Sequence, residues 1–184
     1  MKSTLFVLCS SAVIWALPVA SAPSLSATAS AADKVFAAKV SQGGMYEVVA
    51  SKVAQQKATS QDVRDLAIME VHDHDLVNRE LREIATAAGI NLPQPLNDTF
   101  QQRLQKLEDL SGPDFDEAYI SDMAQIHDMD EKLFAKEAVE GSEKFKIFAA
   151  GTDKIVKRHI GAIHGTDEKE LSRMIDNSEF YSLL

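Results

Sequence analysis

The chain has 184 residues and carries 28 acidic against 19 basic side chains, for a formal net charge of −9, with one cysteine. So acidic a chain has no basic patch large enough for nucleic acid or an anionic lipid surface, which makes both poor candidates as partners. The single thiol, Cys9, falls in an N-terminal apolar run, so the rest of the chain offers no disulfide and no thiolate metal site.

Lys2 followed by the apolar run Leu5 to Leu17 has the form of a signal peptide over residues 1–22. Ala20-Ser21-Ala22 is one cleavage site, and Ser26 to Ala32 offers others. The run is short for a membrane span and no basic stop-transfer cluster follows it, so the expected product is exported, to the periplasm or envelope of a bacterium, with no transmembrane span. Residues 23–32, small and polar, read as a flexible leader, residues 33–166 as one helical domain, and residues 167–184 as a charged tail ending in apolar residues.

Low proline and glycine content and apolar residues at alternating three and four spacing predict an all-α domain. The first helix is expected from Asp33 to Lys57, with the stripe Phe36, Val40, Gly43, Glu47, Ala50 and Ala54. Gly43-Gly44 inside it points to close packing or a kink. Thr59 and Asp62 look like the cap and first-turn acid of the second helix, which Gly89 ends. Its stripe is Val63, Ala67, Glu70, His74, Val77, Leu81, Ile84 and Ala88. Ile90 to Leu96, with two prolines, is an extended crossover, and Asn97 or Asp98 caps a short third helix, about Thr99 to Leu110. The fourth helix starts at Gly112-Pro113 and runs to about Glu140, and the fifth spans about Glu143 to His164. The result is four long helices, running up and down, with one short helix in the long connection.

Every long helix places an acid or a histidine on its apolar stripe: Glu47, Glu70 with His74, His127 with Asp130, and His159. Unpaired burial of such groups costs several kcal/mol, roughly, so they are expected to meet one another. At 1.5 Å per residue Glu47 and Glu70 come level, and His127 and His159 differ in height by roughly 6 Å. One reading is a metal site of Glu47, Glu70, His74, His127 and His159, supported by Asp130 and Tyr119. Imidazole and carboxylate suit zinc, iron, copper or manganese, whereas Cu(I) would have to recruit methionine. The other reading is a hydrogen-bonded polar layer that fixes helix register. His72 and Asp73 are expected to be mostly exposed, because residues two apart on a helix point to different faces. No Glu-x-x-His occurs before any histidine, which argues against a di-iron carboxylate centre. No organic cofactor signature and no nucleophile elbow are present.

Gly44-Met45-Tyr46-Glu47, Ala54-Gln55-Gln56-Lys57-Ala58, Met69, Asp73-His74, Leu110-Ser111-Gly112, Phe115-Asp116, Tyr119, Met123, His127, Phe134, Phe148-Ala149 and His159 together resemble an exported bacterial family, the domain of unknown function 4142. The resemblance covers residues 33–165 and implies a ferritin-like four-helix bundle and, by that family's common label of outer-membrane protein, an envelope location. It implies no activity. Thr152-Asp153-Lys154 and the tail after Thr166 depart from the family's pattern. No amphipathic strands support a barrel. Three functional readings stand. The first is a non-enzymatic metal-binding bundle for storage, buffering or stress tolerance. The second is an envelope interaction module whose tail (Leu171, Met174, Ile175, Phe180, Tyr181, Leu184) binds a partner. The weakest is an enzyme using His127 and Asp130 as acid and base.

Overall fold

The computed structural model of the protein describes residues 29–165. The expected export segment at residues 1–22 and the expected tail at 167–184 lie outside the described residues. Five helices make up the described chain, α1 (Ala31–Lys57), α2 (Gln61–Ala87), α3 (Asp98–Glu108), α4 (Gly112–Glu140) and α5 (Glu143–Ile163), with no strand among the described residues. α1 packs along α2 and α4 along α5; α1 also faces α4, and α2 faces α5, while the short α3 lies against α1 and α4.

Local chemistry sets the helix ends. Ser30 caps α1 through a capping box, its hydroxyl accepting from the Asp33 N–H while the Asp33 carboxylate accepts from the Ser30 N–H. The cap of α2 is Ser60, not Thr59 as the sequence suggested. Thr59 is instead drawn to α4, where Asp116 accepts from the Thr59 N–H at 3.0 Å, from its hydroxyl, and from the Ser60 N–H at 2.8 Å. An acid on a packed neighbour thus outcompetes the local capping choice. Gly89, at φ +69°, closes α2 with the Ile90 N–H donating to the Ala85 carbonyl at 2.8 Å, a left-handed terminus that glycine adopts without strain. Asn97 caps α3 by accepting from the Phe100 N–H.

The crossover between α2 and α3 is pinned by one buried amide. Gln42 donates to the carbonyl of Pro95 at 3.1 Å and accepts from the Asn97 N–H at 2.7 Å. The adjoining Gly44 lets α1 and α2 close up: a Cβ there would sit 2.3 Å from the Asn78 Oδ1. Close packing is therefore what that glycine provides.

Two apolar cores stand at either end of the domain. One gathers Tyr46, Leu66, Phe115, Tyr119 and Met123. The other gathers Val40, Leu81 and an aromatic group in which Phe36 meets Phe134, Phe145 and Phe148 edge-on at 5.4, 6.2 and 6.2 Å. Each such pair contributes about 0.5–1.5 kcal/mol beyond burial alone. Among the described residues no helix is long and apolar enough to cross a membrane.

Candidate metal centre

Between the two cores lies a layer of ionisable side chains removed from water. Glu47, Glu70, His127 and His159 are 0% exposed and His74 is 2% exposed. α1 contributes Glu47, α2 contributes Glu70 and His74 one turn apart, α4 contributes His127 and α5 contributes His159.

Four of the five expected residues converge. One ligand atom each from Glu70, His74, His127 and His159 lies within 4.8 Å of all the others. The Glu70 Oε1 is 3.3 Å from the His127 Nε2 and 3.2 Å from the His159 Nδ1, and its Oε2 is 3.1 Å from the His74 Nε2. The His127 Nε2 and His159 Nδ1 are 3.0 Å apart. Ligands about 2.0–2.1 Å from a tetrahedral ion are separated by roughly 3.3 Å, and these spacings are close to that. Several of the contacts are near in distance but not aimed as hydrogen bonds. Both Glu70 oxygens and the His74 Nε2 are buried without a hydrogen-bond partner. Orphaned buried atoms in a native core call for an ion or a water, and these converge on one point.

The far side of two rings is hydrogen-bonded, and that of the third faces a carboxylate. The His74 Nδ1 lies 3.2 Å from the Glu47 Oε2 without an aimed hydrogen bond, and both Glu47 oxygens are buried without a partner. The His127 Nδ1 lies 2.9 Å from the Met123 carbonyl. The His159 Nε2 lies 2.8 Å from the Asp73 Oδ2. Each imidazole thus turns one nitrogen to the centre and the other to an oxygen acceptor, the arrangement that fixes tautomer and ring orientation in metal sites. Glu47, expected with the ligands, stands behind His74 instead, its other oxygen 3.7 Å from the His127 Nδ1.

Asp73 corrects the sequence reading. Expected to be mostly exposed, it is 6% exposed, hydrogen-bonded to His159 and ion-paired with Arg158. α2 packs on α1 and on α5 at once, so its buried arc is wider than one stripe. The signal was present: Asp73 is three residues after Glu70 and therefore on its face. Arg158 carried no comparable signal. His72 is half-exposed, its Nδ1 3.1 Å from Asp73. Tyr119 is buried beside the layer, but its hydroxyl pairs with that of Ser51 at 2.8 Å. Of the nearby methionines, Met129 is 55% exposed and Met123 reaches the layer through its carbonyl.

Electrostatics without an ion follow the same geometry. Burial opposes ionisation of Glu70, but charge on His127 and His159 outweighs it and holds its carboxyl well below the ordinary range. Burial likewise opposes charging of His127 and His159, and Glu70 overrides it, raising His127 to about 10 and moving His159 upward too. Burial pushes Glu47 up to about 7 against the pull of His74. Burial also resists the charge on Asp73, yet the His159 hydrogen bond and the Arg158 guanidinium hold it at about 2.

The family described as "Domain of unknown function (DUF4142)" matches residues 18–165. No curated protein and no solved structure matches the chain. The family match bears out the resemblance read from the sequence, and the chain belongs to that family.

Proposed function

We propose that this member of the DUF4142 family is a metal-binding protein that retains one divalent first-row transition ion through Glu70, His74, His127 and His159. The observation that carries this is the two-sided use of every histidine, one nitrogen converging with Glu70 and the other hydrogen-bonded to the Met123 carbonyl (His127) or Asp73 (His159), or facing the Glu47 carboxylate (His74). A polar layer that only set helix register would pair Glu70 with the imidazoles by aimed hydrogen bonds, and both Glu70 oxygens and the His74 Nε2 lack them.

Three imidazoles and one carboxylate suit Zn²⁺, Fe²⁺ or Mn²⁺ and disfavour soft Cu(I). Four protein ligands in a buried shell resemble closed sites that hold a metal rather than open ones that turn over substrate. We therefore assign retention, buffering or stress protection, in an exported protein whose four long helices form a ferritin-like bundle. The export segment at residues 1–22 supports the location, and the pairing of α1 with α2 and α4 with α5 supports the bundle.

The test is equilibrium dialysis of the untagged protein against micromolar Zn²⁺, Fe²⁺ and Mn²⁺, followed by elemental analysis. About one ion per chain is expected, lost in His74→Ala/His127→Ala. A wild-type protein that retains no metal at micromolar concentrations overturns the assignment and leaves a structural layer.

A further inference from the structure

We propose that the groove between α1 and α4 is the path by which a hydrated divalent cation reaches the buried centre, and that Asp130 is the carboxylate that receives it there. This rests on the metal-binding reading above and adds to it a route and a gate.

The centre is enclosed on most sides. Along the helix axes it is plugged by the two apolar cores, with Tyr119 and Met123 on one side and Val40 and Phe134 on the other. Toward α2 and α5 the outermost carboxylate is Asp73, already engaged by His159 and by the guanidinium of Arg158, a cation that repels cations. Between α1 and α2 a groove of about 580 Å³ is bordered by Ser41, Asp75, Asn78 and Arg82, but no buried acid lines it.

The α1–α4 side differs. A groove of about 810 Å³ runs there, bordered by Gln42, Gly43, Pro93, Phe100, Met129 and Asp130. Asp130 is 9% exposed and lines the groove. Among the described residues its carboxyl has no hydrogen-bond or ion-pair partner, and the charges of the layer, His127, Glu70 and Glu47, act on it through space. The same side chain thus meets solvent space on one side and the ligand layer on the other. Gly43 keeps it uncovered. A Cβ at that position would lie 3.7 Å from the Ile126 Cδ1 and 3.9 Å from the Asp130 Oδ2, so a larger side chain would close the gap over the carboxyl. One turn further along α1 stands Glu47, the next carboxylate inward.

The rim carries two exposed lysines, Lys39 and Lys132. They oppose arrival of a cation, and ions screen them over about 8 Å at physiological ionic strength. They therefore slow loading locally, against the attraction of the chain's net negative charge, and salt screens both.

The experiment uses the full chain and Co²⁺, whose visible absorption develops when imidazoles coordinate it, mixed by stopped flow, with release then driven by excess chelator. Asp130→Asn is expected to slow both association and release by about tenfold or more, because a gate acts in both directions. Gly43→Leu should slow both as well, whereas Lys39→Gln/Lys132→Gln should speed association. Unchanged rates in both Asp130→Asn and Gly43→Leu would overturn the route while leaving the centre in place. Faster release with unaltered association in Asp130→Asn would also overturn it, since that is the signature of a lost ligand or support. A wild-type chain that binds no Co²⁺ would overturn the centre and the route together.

Discussion

Replacing Asp73 by asparagine separates support of the centre from membership in it. The Asp73 Oδ2 lies 2.8 Å from the His159 Nε2. Asparagine keeps a carbonyl of the same shape and removes the charge that orients the imidazole. Loss of such a supporting acceptor costs about 10–100-fold in metal affinity, or about 1–3 kcal/mol. The metal-free protein should weaken too. Asp73 is held at about 2 instead of its ordinary 3.8, which corresponds to about 2 kcal/mol. Because the folded value is depressed, this stabilisation is present above pH 3.8 and is lost as the pH falls through about 2. The His159 contact is the same interaction seen from its partner and adds nothing further. The assay is competition of Zn²⁺ between the protein and a chelating dye, paired with urea denaturation of the metal-free form at pH 7. The control is Asp153→Asn, which removes only the pair with the half-exposed Lys157 and should shift affinity less than about twofold. An Asp73→Asn protein with wild-type Zn²⁺ affinity would refute the claim that the far nitrogen of His159 is held for a metal.

Two further substitutions test the frame around the site. Gly44→Ala places a Cβ 2.3 Å from the Asn78 Oδ1, so that side chain must swing aside; alanine's helix propensity offsets about 1 kcal/mol of the overpacking, and a net cost of about 1 kcal/mol is expected by thermal denaturation. Adding Asn78→Ala should restore most of that, while a double mutant no better than the single would place the strain elsewhere. Glu137→Gln addresses a buried pair of acids at the α4–α5 turn. Burial and the neighbouring Asp33 raise the Glu137 carboxyl to about 7. Burial opposes ionisation of Asp33, but hydrogen bonds from the Ser142 and Ser30 N–H groups hold it at about 2. A raised acid binds its proton more tightly in the fold, so wild-type stability should fall as the pH climbs from about 4.5 to 7, whereas the Asp33 contribution is lost only as the pH falls through about 2. The glutamine variant should be indistinguishable near pH 4.5 and more stable by about 1–3 kcal/mol at pH 8, and equal stability at pH 8 would contradict the paired-acid account.

The stripe count found the layer because the rule it used is physical: an ionisable residue repeated on an apolar face must be paired or bound. Glu47, Glu70, His74, His127, His159 and Asp130 are all buried, as that rule required. Division of labour within the set was not legible. Whether Glu47 faces the converging nitrogens or the backs of the rings depends on helix rotation and on rotamers, which spacing leaves open. Asp73 was missed because the count followed one member per turn, although a residue three after Glu70 shares its face. Arg158 was missed because an arginine beside a stripe ordinarily faces solvent, and only the approach of α2 to α5 gives it a partner. The helix boundaries came within a few residues. The Thr59 cap failed because Asp116, distant in sequence, competes for that turn.

The central claim is a mononuclear site of three imidazoles and one carboxylate. X-ray absorption at the metal edge of the Zn²⁺-loaded, untagged protein tests it most directly. A four-coordinate shell of nitrogen and oxygen at about 2.0–2.1 Å is expected, with outer-shell scattering from three imidazole rings that falls to two in His159→Ala. A shell of water oxygens with no imidazole scattering, or a spectrum unchanged in His159→Ala, would contradict it.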